Sequence, residues 1–135
     1  MRKAIFLLLA VLAVFSCREP RSTEQFVPGE GPFVLSVDLS DTTAVYDVDL
    51  YSRLDAVSYP SQVQMLARWA SPSDSVYRET FWMPLSPEVY TPYRAGLRAF
   101  EPGIWTLTLT SPSLPEGFRG LGLVVKKRQV WDTEN

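Results

Sequence analysis

The chain has no histidine among its 135 residues and only one cysteine, Cys17. Without histidine there is no Ser-His-Asp or Cys-His nucleophile system and no imidazole-based zinc or iron site. A single cysteine forms no disulfide within the chain, even in an oxidising compartment. An excess of either charge is also lacking: 13 basic residues stand against 15 acidic ones. Arg2 and Lys3 fall in the leader described below, so the remainder holds 11 basic and 15 acidic residues, a net charge of −4. A mildly acidic domain has no electrostatic pull toward nucleic acid or an anionic membrane surface. Long apolar runs are missing too. The only one, residues 4–15, is too short to cross a bilayer as a helix. No catalytic motif is present.

The apolar run has a telling context. Arg2 and Lys3 precede it, and Val14-Phe15-Ser16-Cys17 closes it with a small residue before the cysteine. This pattern resembles the lipobox of bacterial lipoprotein precursors. The resemblance implies that the Cys17 thiol is acylated, that the chain is cut before it, and that Cys17 becomes the new N-terminus. Residues 1–16 then form a signal peptide, and attachment to a membrane is by lipid alone. The remaining 119 residues suffice for one domain with a core. Residues 18–32 are polar and rich in Pro and Gly, so 17–32 reads as a lipidated flexible tether. The folded domain is expected over 33–128, with a C-terminal tail over 129–135.

Within that domain the dominant period is two. Phe33–Leu39 reads as a first strand. Tyr46, Val48 and Leu50 alternate with Asp47, Asp49 and Tyr51. Val63, Met65, Ala67 and Trp69 share one face of the next segment; Tyr77, Phe81, Met83 and Leu85 share another, interrupted by Glu79. Trp105, Leu107 and Leu109 alternate with threonines, and Leu121, Leu123 and Val125 line the last strand. Only 93–100 has the spacing of a helical turn. Many short strands separated by Pro-, Gly- and Asp-containing turns predict an all-β antiparallel sandwich, jelly-roll-like or immunoglobulin-like, with at most one helical turn.

Two groups of side chains invite a chemical reading. Asp38, Asp41, Asp47, Asp49 and Asp55 crowd into eighteen residues, which raises calcium binding as one possibility. No Asp-x-Asp-x-Asp-Gly loop accompanies them, so a solvated strand face and turn caps are the simpler reading. Paired-carboxylate glycosidase chemistry rests on nothing more specific. The second group is aromatic, with 4 tryptophans and 6 tyrosines. Trp69 and Trp105 sit on apolar strand faces and read as core. Trp82 sits opposite Phe81 and Met83, beside Arg78 and Thr80, and is the candidate contact residue. Trp131 reads as a tail residue able to dock back. Lys126-Lys127-Arg128 reads as a solvated strand end that discourages edge pairing. Arg53 either pairs with Asp47 or Asp55 or leaves its fork exposed for a partner.

The spacing of Asp41-Thr42, Tyr46-Asp47, Arg53 and Tyr59-Pro60 resembles the early part of the GldH-type gliding-motility lipoproteins of Bacteroidetes. In the second half Pro102-Gly103-Ile104-Trp105-Thr106-Leu107-Thr108-Leu109, Leu114, Gly120-Leu121-Gly122-Leu123 and Lys126 are similar to that family's Gly-aromatic strand, connecting loop and final strand. The resemblance covers residues 33–128 and the lipobox; Thr-Ser-Pro-Ser at 110–113 departs from it. It implies a non-enzymatic, lipid-anchored envelope protein, in the outer membrane, serving gliding and the associated type IX secretion. Its partners would be envelope proteins, with no cofactor, metal or nucleic acid. The alternative from a different class is a surface ligand-binding module, for glycans, carried by Trp82 and the tyrosines. An enzyme is the third class and has no motif behind it.

Overall fold

The computed structural model of the protein describes residues 21–55, 59–86 and 90–129. Cys17, the leader and Trp131 lie outside the described residues. Among the described residues there is no helix. Eight strands run β1 (Ser22–Pro28), β2 (Phe33–Asp38), β3 (Ala44–Leu54), β4 (Gln62–Ala70), β5 (Val76–Pro84), β6 (Thr91–Leu97), β7 (Ile104–Thr110) and β8 (Phe118–Gln129). They form two antiparallel four-stranded sheets, ordered β1-β8-β3-β6 and β2-β7-β4-β5. Strand 1 pairs with 8, 2 with 7, 3 with 6 and 4 with 5. That is one long hairpin rolled up, the jelly-roll order, and not the immunoglobulin-like one.

The period of two builds the core directly. Side chains alternate across a strand, so each sheet presents every second residue inward. Phe33, Leu35 and Val37 of β2 meet Val48 and Leu50 of β3 and Leu121 and Leu123 of β8, all fully buried. Val63, Met65, Leu107 and Leu109 complete the layer. The outer side of the first sheet is also covered in one place. The Tyr51 ring stacks on Phe26 at 6.2 Å, meets Tyr90 edge-on at 5.1 Å, and lies over Gly122. A Cβ at Gly122 would fall 1.9 Å from the Tyr51 ring, so glycine is required there by close approach. Burial, reinforced by the Tyr51 hydroxyl donating to Glu24, pushes the Tyr51 phenol up to about 12.

Four sequence expectations are corrected. The tether does not extend to residue 32, because Ser22–Pro28 is a strand paired with β8 from Ser22↔Lys126 to Pro28↔Gly120. Each face of it has a single apolar residue, Val27 or Phe26, so alternation is invisible in the sequence; the ladder with β8 makes the strand. Residues 93–100 form no helical turn. Tyr93 and Leu97 both turn toward the core because the β3–β6 register shifts, with Gly96 at a φ of 65°. Two register shifts, each adding one residue to β6, turn a spacing of two into four, which imitates a helix. Finally, Lys126-Lys127-Arg128 does not guard a sheet edge, because β8 is interior to its sheet, between β1 and β3. It also continues to Gln129, so the first residue assigned to the tail belongs to the sandwich.

A candidate binding groove between two sheet edges

The strands leave two seams where the edges of the two sheets face each other. They are closed differently. At the β1–β2 seam the Gln25 amide bonds the Ser36 backbone twice, Nε2 donating to the carbonyl and Oε1 accepting from the N–H at 3.0 Å. At the β5–β6 seam the bridge is aromatic. Tyr93 of β6 stacks on Trp69 at 6.2 Å and on Phe81 of β5 at 4.6 Å. Trp69 meets Trp105 edge-on at 6.4 Å, and Trp105 meets Phe100 at 5.4 Å and Tyr77 at 6.1 Å. A continuous aromatic run thus follows the seam.

One polar cluster is set into it. Trp69 Nε1 donates to the Tyr93 hydroxyl at 3.0 Å, that hydroxyl donates to Glu79, and Glu79 is ion-paired with Arg94. Burial first, and the bond to Glu79 second, hold the Tyr93 phenol far above its ordinary range, so it stays a neutral hydroxyl. Two hollows open on either side of Glu79 and Arg94. One, of about 240 Å³, is lined by Trp69, Tyr77, Phe100 and Trp105, with Arg78 and Arg98 at its rim. The other, of about 200 Å³, is lined by Leu50, Phe81, Trp82, Pro92 and Tyr93. Among the described residues Arg78 and Arg98 form no ion pair. The groove is suited to a ligand that is apolar or aromatic along its length and anionic at its edge.

The carboxylates named from the sequence are drawn apart. Asp38 caps its turn through the Ser40 N–H at 3.0 Å. Asp41 accepts from Thr43 at 2.9 and 2.6 Å and pairs with Lys127 at 2.9 Å. Asp47 pairs with Arg128 at 2.9 Å and accepts the Gly96 N–H at 2.8 Å. Asp49 pairs with Lys126 at 3.3 Å, and Asp55 with Arg119 at 2.8 Å. Antiparallel pairing of β3 with β8 places the aspartates beside the basic run, which makes a cross-strand ladder of ion pairs. Among the described residues no three acidic or cysteine side chains come close enough to hold a metal ion.

This ladder has a pH signature. The Arg128 hydrogen bond, followed by the Gly96 N–H, holds the Asp47 carboxyl below its usual range. The Thr43 hydroxyl and Lys127 hold Asp41 well below it. A carboxylate with a depressed folded-state pKa contributes stability that is present above its unfolded value of about 3.9 and lost as pH falls through the folded one. Denaturant melts should therefore show stability unchanged from about pH 7 to 5 and falling below about pH 4. Asp47→Asn should flatten the acid limb. A decline already complete at pH 5 would contradict this assignment.

Trp82 lies on the outer side of β5 and is 58 % exposed, at the rim of the smaller hollow. Arg53 is on the outer side of the other sheet. Its two suggested partners are engaged elsewhere, and its guanidinium sits over the Tyr51 ring at 5.5 Å. The structure does not bring Arg53 and Trp82 together. The groove residues Glu79, Tyr93, Arg94 and Phe100 were not singled out from the sequence. The one signal for them was Glu79 itself, a charge interrupting an otherwise apolar strand face. No family model, characterised protein or solved structure matches the chain.

Proposed function

We propose that this protein is a lipid-anchored component of the bacterial cell envelope that works by binding, in the manner of the gliding-motility lipoproteins it resembles, with the β5–β6 groove as its contact surface. One observation carries the binding reading. The acidic cluster is tied up in ion pairs and turn caps, whereas the aromatic seam presents Tyr77, Trp82 and Phe100 to solvent over the buried Trp69 and Trp105. Cys17 supplies the anchor in this reading, and envelope proteins supply the partner.

A second reading has its own support. Trp82 presents a flat ring to solvent beside Arg94 and Thr91, an arrangement that suits a pyranose ring of an envelope glycan. Affinity capture of the tagged protein from its own envelope, run beside titration with isolated envelope polysaccharide, separates the two. A protein retained by the wild type and released by Tyr77→Ser supports a protein partner. Saturable polysaccharide binding lost in Trp82→Ala supports the glycan. If both substitutions leave every interaction unchanged, the groove is not the contact surface.

A further inference from the structure

The chain termini and turns give the sandwich a direction. The starts of β1, β3, β5 and β7 and the ends of β2, β4, β6 and β8 share one end, as the registers Ser22↔Lys126, Tyr46↔Lys127, Tyr46↔Leu97, Asp38↔Ile104 and Ala70↔Val76 require. Arg21 is fixed to that end, its carbonyl accepting the Lys127 N–H at 2.7 Å. Cys17 lies four residues earlier, and four extended residues reach at most about 14 Å. A lipid on Cys17 therefore holds this end, and not the other, against the bilayer.

The same end displays apolar side chains to solvent. Phe100 is 70 % exposed, Ile104 59 % and Tyr77 46 %. The loops beside them are braced. Ser73 Oγ donates to Glu101 at 2.8 Å, joining loops 71–75 and 98–103, and Trp105 Nε1 donates to the Glu101 carbonyl at 2.9 Å. The Phe100 ring is set against Tyr77 at 5.6 Å and Trp105 at 5.4 Å, so it projects from a supported tip. Charges nearly cancel there: Arg21, Arg78 and Arg98 stand against Asp38, Asp74 and Glu101, and Lys127 is paired with Asp41. Exposed large apolar groups clustered without a dominant charge mark a surface that is covered in use.

We propose that this end docks on the lipid bilayer, with Phe100 and Ile104 entering the boundary between headgroups and acyl chains as a second contact beside the lipid. The proposal rests on the reading of Cys17 as the anchor. An acyl chain combined with a second membrane contact holds far more firmly than either alone. Because the contact is apolar, it is insensitive to salt. It also turns the larger hollow of the groove toward the membrane surface, so a groove partner is met there.

The test attaches the chain 17–135 through its single thiol to a maleimide lipid in phosphatidylcholine vesicles that contain nitroxide-labelled headgroups. Fluorinated phenylalanine is placed at position 100 or, for comparison, at position 118 at the opposite end of the sandwich. The fluorine signal at 100 should broaden at least several-fold more than at 118, equally at low and high salt. Ile104→Ser should weaken the broadening, whereas Val34→Ser, an equally exposed site away from this end, should not. Equal broadening at 100 and 118, or broadening abolished by salt, would overturn the proposal. Since the tether is chemical, this result stands apart from whether cells acylate Cys17. Fatty-acid labelling of the wild type against Cys17→Ala decides that point by itself.

Discussion

Trp105→Ala is expected to cost about 3–5 kcal/mol of folding stability, as truncation of a buried large aromatic does. The Trp105 indole is 5 % exposed, packs against Trp69, and ties its N–H to the Glu101 carbonyl. Alanine leaves a cavity beneath the groove and frees the 98–103 loop in the same step. Against a total of about 5–15 kcal/mol for a domain of this kind, the loss is severe. Trp82→Ala should cost about 1 kcal/mol or less, because its ring lies on the outer face and no partner residue depends on it. Its effect belongs in binding. Denaturant melts of both variants decide the matter; equal destabilisation would make Trp82 a structural residue and remove it from the groove's contact surface.

Deleting residues 21–29 should be nearly as damaging, on the order of 3 kcal/mol, because each ladder hydrogen bond is worth about 0.5–1.5 kcal/mol net. The deletion removes the whole β1–β8 ladder, the Phe26 stack on Tyr51 and the Gln25 bridge that closes the β1–β2 seam. It also bares β8, whose 121–125 stretch is Leu-Gly-Leu-Val-Val, as an unpaired edge, so the truncated chain should aggregate at concentrations where the full one does not. Melts and light scattering of chains beginning at 17 and at 30 make the comparison. If both chains melt alike, Ser22–Pro28 behaves as a tether and its pairing contributes nothing.

The parts of the fold legible in the sequence are those where one strand carries its own evidence. Phe33-x-Leu35-x-Val37, Val63-x-Met65-x-Ala67-x-Trp69 and Trp105-x-Leu107-x-Leu109 each hold enough alternating apolar residues to declare an inward face. Elements whose identity depends on a neighbour were not legible. β1 has one apolar residue per face and exists through its pairing with β8. β6 hides its period behind its two register shifts against β3. The ion-pair ladder is invisible because its members lie some eighty residues apart and meet only through the β3–β8 register. The groove is hidden for the same reason: Glu79 and Arg94 sit on different sheets, and only the rolled hairpin sets their edges face to face. Sequence patterning reports on burial within a strand; a site built between two sheet edges is a property of topology.

The proposal that this protein binds its partner through the β5–β6 groove stands or falls on what touches that groove in the envelope. The most direct measurement places a photo-crosslinking amino acid at Tyr77, at Trp82 or at Val34, one at a time, in the protein within its own envelope, and resolves the adducts by mass spectrometry. One discrete adduct shared by positions 77 and 82 is expected, and none at 34, which lies on the outer face of β2 away from the groove. Adducts at 34 with none at 77 or 82 would contradict the proposal.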